Sequence, residues 1–446
     1  MQLLPYQEEY ADFALSRRRA YNAFGCGLGK TPSAIVTAVR RGSRSVLTIT
    51  KAASVPNWYR EHARWGSASV LLAATSYTKL AKTPHLFNGA DWDEVILDEA
   101  HYVKSRVSKR TLAALTVARA ARNAQLLSAT PMPNHPGELF APYRVLWPGV
   151  TKALGIDTYT EWLDTFCSYT MGDYGPKVWG IKNGARLTPH LRRTMMIRKL
   201  ADVGLQLPPL RVDVVLLKRD RRLLDAMSKA GIDAEALKAE LTHEESHPCP
   251  RCGGAGERNG DDCYNCDGTG EEKGPLSRLR RILGTFKAAR IGAIIDEELH
   301  TQQYNKIVVF AHHHATLDVL HGILERHGVV RFTGKTSARQ RQQAEDAFND
   351  HGSGVRVFLA QQTAAGEALN LQVASEAVLV EPSFVPDENY QAIKRIHRYG
   401  SVDPCRARMF AIENTLDEGV MNTCARKTRM KVELELENAT GAIQWT

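Results

Sequence analysis

Two stretches decide the fold class: GCGLGKT at residues 25–31 and VILDEAH at residues 95–101. In the first, Gly25, Gly27 and Gly29 let the backbone approach phosphate oxygens and turn N–H groups toward them. Lys30 reaches β- and γ-phosphates from this position, and the Thr31 hydroxyl suits magnesium. The run that follows, TPSAIVTAVRR, is apolar-periodic. The loop is therefore expected at a helix N-terminus, where the dipole favours anions, with Pro32 in the first turn. A strict GxxxxGK[ST] pattern wants glycine at position 24, which is Phe24 here. The second stretch is an apolar strand ending in Asp98-Glu99-Ala100-His101, a DEAH box. A strand delivers its terminal carboxylate to the sheet edge. Asp98 is there to hold the magnesium shell, and Glu99 to orient or deprotonate an attacking water.

Working outward, further apolar runs end in polar clusters. These are SVLTIT at 45–50, AQLLSAT at 124–130, KIVVFAHHH at 306–314, VRVFLAQQT at 355–363 and EAVLVEPS at 376–383. Short continuous apolar runs are strands buried on both faces of a parallel sheet, and helical patterns alternate with them, so the class is α/β. The alternation stops between about 150 and 300. Leu207-Pro208-Pro209 interrupts the chain, a charged helical stretch follows, and another basic helix starts near 276. The expected organisation is a lobe over 1–205, a mostly helical insertion over 206–275, and a second lobe over 276–446. Ser128-Ala129-Thr130, at the end of a strand, is placed to hydrogen-bond the acidic box.

Within the insertion, Cys249-Pro-Arg-Cys252 and Cys263-Tyr-Asn-Cys266 form two CxxC knuckles separated by ten residues. Four thiolates at this spacing suit one tetrahedral, structural zinc within 247–272. The segment is too rich in Gly and Asp to build a core of its own. Metal binding would supply its folding energy, on the order of 10 kcal/mol. Cys167, Cys405 and Cys424 lack partner spacing and are ordinary thiols, and Cys26 is a small residue filling the loop.

Of 446 residues, 43% are hydrophobic and 24% charged, which excludes a wholly disordered chain. Lys and Arg outnumber Asp and Glu by 58 to 49, a net charge of +9 that favours a polyanionic partner, nucleic acid before membrane. No run approaches the roughly 20 apolar residues of a membrane helix, and the N-terminal segment has acidic residues inside its apolar part, unlike a signal peptide. The expectation is an intracellular protein, cytoplasmic or nucleoid-associated. Basic clusters recur, among them Arg192-Arg193, Arg278-Arg280-Arg281 and Arg426-Lys427. No interleaving of aromatic and basic residues suggests a stacking platform, which favours binding to a duplex backbone. His312, His313 and His314 alternate faces at a strand end and so do not share an ion. Trp58 is assigned to packing.

Late in the chain, QAIKRIHRYG at 391–400 places Arg395 and Arg398 three apart, on one helical face. Guanidinium groups suit γ-phosphate charge in a loose transition state, and an arginine finger is worth about 10³–10⁵ in rate. With these residues assembled, the chain resembles superfamily 2 helicase-like ATPases of the Swi/Snf group. LLPYQ, GLGKT, VLTITKAASVPNWYREHARW, ILDEAHYVKS and LLSATPMPNHPGELF are similar to that group's first-lobe boxes in order. TAAGEALNL and QAIKRIHRYG are similar to its second-lobe boxes. KIVVFAHHHATLDVL with RFTGKTSARQRQQAEDAF most resembles the annealing-helicase (HARP-like) branch. The cysteine segment resembles half of a DnaJ cysteine-rich motif.

The resemblance implies two RecA-like lobes with ATP and magnesium between them. It implies nucleotide contacts from Gln7, Gly366 and Gln391 besides the residues above. It also implies a monomeric motor moving on duplex or forked DNA, in remodelling, annealing, repair or replication. Glu367 and Ala368 replace glycines of the usual box, and Phe24-Gly25-Cys26 replaces an acidic stretch. A strand-separating DNA or RNA helicase, and a nucleic-acid-binding scaffold with a decayed motor, stay open beside the translocase.

Overall fold

The computed structural model describes residues 2–172, 175–204, 207–229, 274–334, 336–362, 369–398 and 401–433, with four two-residue strands between 247 and 272. It contains two compact units, the first built mainly from 1–171 and 178–206 and the second mainly from 207–425.

In the first unit, β1 (Arg19–Phe24), β2 (Ser45–Thr50), β3 (Leu71–Ser76), β4 (Glu94–Asp98), β5 (Asn123–Leu127) and β8 (Met195–Arg198) form one sheet. Their order is β3-β2-β4-β5-β1-β8, and every pairing is parallel. Two further strands, β6 (Cys167–Gly172) and β7 (Gly175–Ile181), pair only with each other. The continuous apolar runs follow from burial on both faces. Val95 and Leu97 enter the core cluster that holds Tyr21 and Trp162, while Ile96 between them enters the opposite cluster with Ala34 and Trp58.

The second unit repeats the plan. Strands β9 (Leu210–Leu217), β10 (Ile307–Ala311), β11 (Val329–Phe332), β12 (Val357–Gln361), β13 (Glu376–Leu379) and β14 (Cys405–Ile412) are ordered β11-β12-β10-β13-β14-β9, all parallel. Val308 and Phe310 pack on one face, and Ile307, Val309 and Ala311 on the other. The architecture is α/β with two parallel-sheet lobes.

One boundary differs from expectation. Residues 210–217 fall inside the expected insertion, yet they form the edge strand β9, in register with β14 from Leu210 opposite Cys405 to Leu217 opposite Ile412. The helix Arg221–Lys229 also belongs to this unit, with fully buried Leu223 packed against Leu279 and Leu283. Arg211 and Asp213 can interrupt its apolar run because an edge strand needs burial on only part of its surface.

His313 meets Glu381, with Nδ1 2.6 Å from Oε1. The His312 and His313 amides donate to the other carboxylate oxygen. Burial raises the Glu381 carboxyl, but the His313 contacts outweigh it and hold it down at about 2. The three histidines thus do different jobs, since His314 opens the helix that follows.

Candidate functional site

The site of the first unit is assembled where strands end. In an all-parallel sheet the carboxyl ends of neighbouring strands open onto one crevice, and here β1, β4 and β5 are adjacent. β1 ends at Phe24, whose N–H donates to Asn22 Oδ1 at 3.1 Å, and the Gly25 N–H then donates to the Arg198 carbonyl of β8 at 2.8 Å. Gly27 and Gly29 adopt φ of +81° and +71°, which a side chain would strain. Gly29 is also the N-cap of the helix Lys30–Arg40, which puts Thr31 in its first turn. The Lys30 ammonium folds back onto the carbonyls of Phe24 (3.0 Å) and Gly25 (3.3 Å). Gln7 lies buried against this loop, its Nε2 donating to the Leu28 carbonyl at 3.1 Å while its Oε1 accepts the Leu4 N–H. A Cβ at position 29 would sit 2.2 Å from that nitrogen, so a side chain there would push the Gln7 amide aside.

Asp98, the last residue of β4, is held from three sides. Its Oδ2 accepts Thr50 Oγ1 at 2.7 Å and Trp58 Nε1 at 2.9 Å, and its Oδ1 accepts the Glu99 N–H at 3.0 Å. Burial, and then the Glu99 charge, raise its carboxyl above the usual range, against the pull of the Trp58 and Thr50 bonds and of Lys30. Glu99 stands in the left-handed region at φ 50°, ψ 52°, a conformation that costs a non-glycine residue about 1–3 kcal/mol and is found at sites that need it. His101 Nδ1 lies 3.4 Å from Glu99 and 3.1 Å from Ser128 Oγ, so the end of β5 is tied to the acidic box.

Trp58 and Thr50 are the residues that sequence reasoning missed. Trp58 is 1% exposed and packs with Ala34 and Ile96, as its assignment to packing requires, but its indole N–H reaches the carboxylate of the box. Trp58 is one of three aromatic residues in VPNWYREHARW, and that pattern does not single it out as a donor to the box.

In the second unit, Gln391 is buried within the helix Pro386–Ile393. Arg395 and Arg398 do not share a helical face. The helix ends at Ile393, and both arginines lie in the turns beyond it, with the Arg395 N–H on the Ala392 carbonyl at 3.1 Å. Arg398 Nη1 donates to the Leu369 carbonyl at 3.1 Å, and the Arg395 carbonyl accepts the Leu371 N–H. Non-local bonding to residues 369–371 wins over helical periodicity. Gly366, Glu367 and Ala368 lie outside the described residues, as do Cys249, Cys252, Cys263 and Cys266. The flanks of the cysteines are described: His247–Pro248 pairs antiparallel with Glu271–Glu272, and Glu257–Arg258 with Asp261–Asp262. Among the described residues no group of three or more His, Cys, Asp or Glu could hold a metal ion. Among them, too, no helix is long and apolar enough to cross a membrane.

Family models match the chain twice, as an SNF2-related domain over residues 34–223 and as a helicase conserved C-terminal domain over residues 289–400. This is a chain with an SNF2-related domain followed by a helicase C-terminal domain. The SNF2-related match covers the acidic box and Ser128, and starts just past the phosphate loop. The chain is similar to a Caenorhabditis elegans homolog of SWI/SNF-related matrix-associated actin-dependent regulator of chromatin subfamily A-like protein 1. The two are 26% identical over 98% of this chain and 62% of that protein. It is also similar to the human DNA annealing helicase and endonuclease ZRANB3, 27% identical over 96% of this chain and 40% of that protein. The chain therefore spans less than two thirds of these relatives' length. Among solved structures, the Sulfolobus solfataricus SWI2/SNF2 ATPase core in complex with dsDNA is 18% identical, with a TM-score of 0.41, over 100% of this chain and 97% of that one.

Proposed function

We propose that the protein is a nucleic-acid-stimulated ATPase that moves on duplex or forked DNA. The observation that carries this is a glycine-lined loop and a lysine at the end of β1 and two carboxylates at the end of β4, the two strands that flank β5 in one parallel sheet. The loop N–H groups and the helix that starts at Lys30 receive phosphates, and Lys30 exchanges its two carbonyl partners for phosphate oxygens. The oxygens of Asp98 and Thr31 are hard donors suited to magnesium, and the raised affinity of Asp98 for a proton marks a buried carboxylate short of positive charge. When bound, magnesium neutralises charge on the β- and γ-phosphates. Trp58 and Thr50 orient Asp98, while Glu99, held by its left-handed backbone and by His101, positions the attacking water. Arg395 and Arg398 are assigned to stabilising the transferred phosphoryl, and Gln7, Gln391 and Gly366 to nucleotide contact.

The polyanionic partner is supported by the +9 net charge and by what the relatives' names say of DNA and chromatin. Translocation without strand separation is the preferred motion. We assign one structural zinc to Cys249, Cys252, Cys263 and Cys266. Two observations support it: the paired CxxC spacing, and the strand pair His247–Pro248 with Glu271–Glu272, which closes the segment containing all four cysteines.

The test is Lys30→Ala, assayed with and without duplex DNA. Hydrolysis is expected to fall at least about a hundredfold with the thermal unfolding curve retained. Wild-type turnover in that variant would sink the assignment.

A further inference from the structure

The hairpin β6–β7 joins neither six-stranded sheet. Its base is fixed by three bonds. The Lys182 N–H donates to the Phe166 carbonyl at 3.0 Å, Asn183 Nδ2 to the Thr165 carbonyl at 2.8 Å, and the Tyr169 hydroxyl to Asp164 at 2.7 Å. A Cβ on Gly180 would lie 3.3 Å from that of Ser168, which sets these two opposite each other. In this register Trp179 stands opposite Tyr169 and Lys177 opposite Met171. By alternation all four share one face.

On that face Met171 is 74% exposed and Trp179 55%. A lone two-stranded ribbon is only marginally stable in water, and leaving its largest apolar side chains in solvent does nothing to hold it together. The chain around it is predominantly basic. From Cys167 to Thr194 there are five Lys and Arg residues against one acidic residue, Asp173, and Lys182, Arg186, Arg192 and Arg193 are exposed. Exposed indole and thioether groups beside a mostly cationic stretch fit nucleobases next to a phosphate backbone. Stacked base pairs hide their faces inside a duplex, so Trp179 has a partner only where the stack ends. The linear sequence conceals this platform because Tyr169 and Met171 reach Trp179 only through antiparallel pairing.

We propose that the β6–β7 hairpin is a wedge that stacks Trp179, flanked by Met171, on the terminal base at a junction of duplex and single-stranded nucleic acid. The proposal rests on the nucleic-acid reading above and adds the residue that selects forks over plain duplex.

The test uses the full chain with DNA and RNA forks and a blunt duplex, the forks carrying 2-aminopurine at the junction. Wild-type protein and Trp179→Phe are expected to quench the junction probe. Trp179→Ala is expected to lose the quenching. It should also weaken fork binding, relative to duplex binding, roughly tenfold, equivalent to about 1.4 kcal/mol. Quenching of either fork supports the wedge. Absence of quenching on both forks, or an unchanged fork-to-duplex ratio in Trp179→Ala, overturns it. Quenching in a protein that no nucleic acid stimulates to hydrolyse ATP would defeat the motor reading and leave the wedge standing.

Discussion

Asp98 shows how much of the chemistry depends on single hydrogen bonds. Two side-chain donors converge on one of its oxygens, and only Trp58 can be removed without losing a strand residue. Trp58→Phe keeps most of the packing and deletes the N–H. ATP hydrolysis is expected to fall about tenfold, in line with roughly 1–3 kcal/mol for an orphaned buried acceptor. Steady-state turnover equal to wild type would show that Thr50 alone orients the carboxylate. A second carboxylate, Glu376, is legible only in three dimensions. Arg408 spends both terminal nitrogens on Glu298 at 2.7 Å and stands 3.6 Å from Glu376. Burial therefore dominates and pushes Glu376 up to about 7. A raised carboxyl pKa means the folded state holds its proton more tightly than the unfolded chain. The resulting stability is full below about pH 4.5 and is lost as pH rises through 7. Glu376→Gln should therefore gain on wild type by about 2 kcal/mol between pH 5 and pH 8, after allowance for partial exposure. Urea unfolding of both proteins at the two pH values measures this, and a pH-independent offset would refute it.

At the scale of elements, strands and helices differ in how openly the sequence announces them. The VIL core of EVILD and the whole of IVVFA are apolar because both sheet faces are covered, and such runs are visible without tertiary information. β9 alternates imperfectly, and its burial arises from β14 and the helices above it. The helix Arg221–Lys229 carries charges along most of its length, so it passes for linker. Its fully buried Leu223 shows that it is part of the second unit's core. Leu223→Ala should destabilise that unit by about 2–4 kcal/mol. Calorimetry should show the second unit's transition shifted down while nucleotide binding to the phosphate loop persists. An unaltered melting profile would return the helix to the linker. The turn holding Arg395 and Arg398 differs for the same reason as β9, since bonds to Leu369 and Leu371 are invisible to helical periodicity.

At the scale of the molecule, two parallel sheets bury large cores without help, whereas the cysteine segment has too little apolar surface to do so. Its zinc assignment therefore predicts a stoichiometry. Protein purified without chelator should carry about one zinc per chain. Replacing Cys249 and Cys252 with serine should lower that content to near zero with both lobes still folded by circular dichroism. Elemental analysis showing no zinc in wild-type protein would remove the assignment.

The phosphate loop and the acidic box were readable from residues 25–31 and 95–101, and the α/β class from the apolar runs and helical patterns that alternate around them. Each is a local device in which a few residue types at fixed spacing meet a backbone geometry that they themselves specify. What touches Asp98, how Gln7 and Gly29 fit one another, where β9 pairs, and which face of the hairpin carries Trp179 were decided only by tertiary structure. In each case the partners are distant in sequence. Hydrogen bonds and burial between distant residues leave no periodic trace in the chain that makes them.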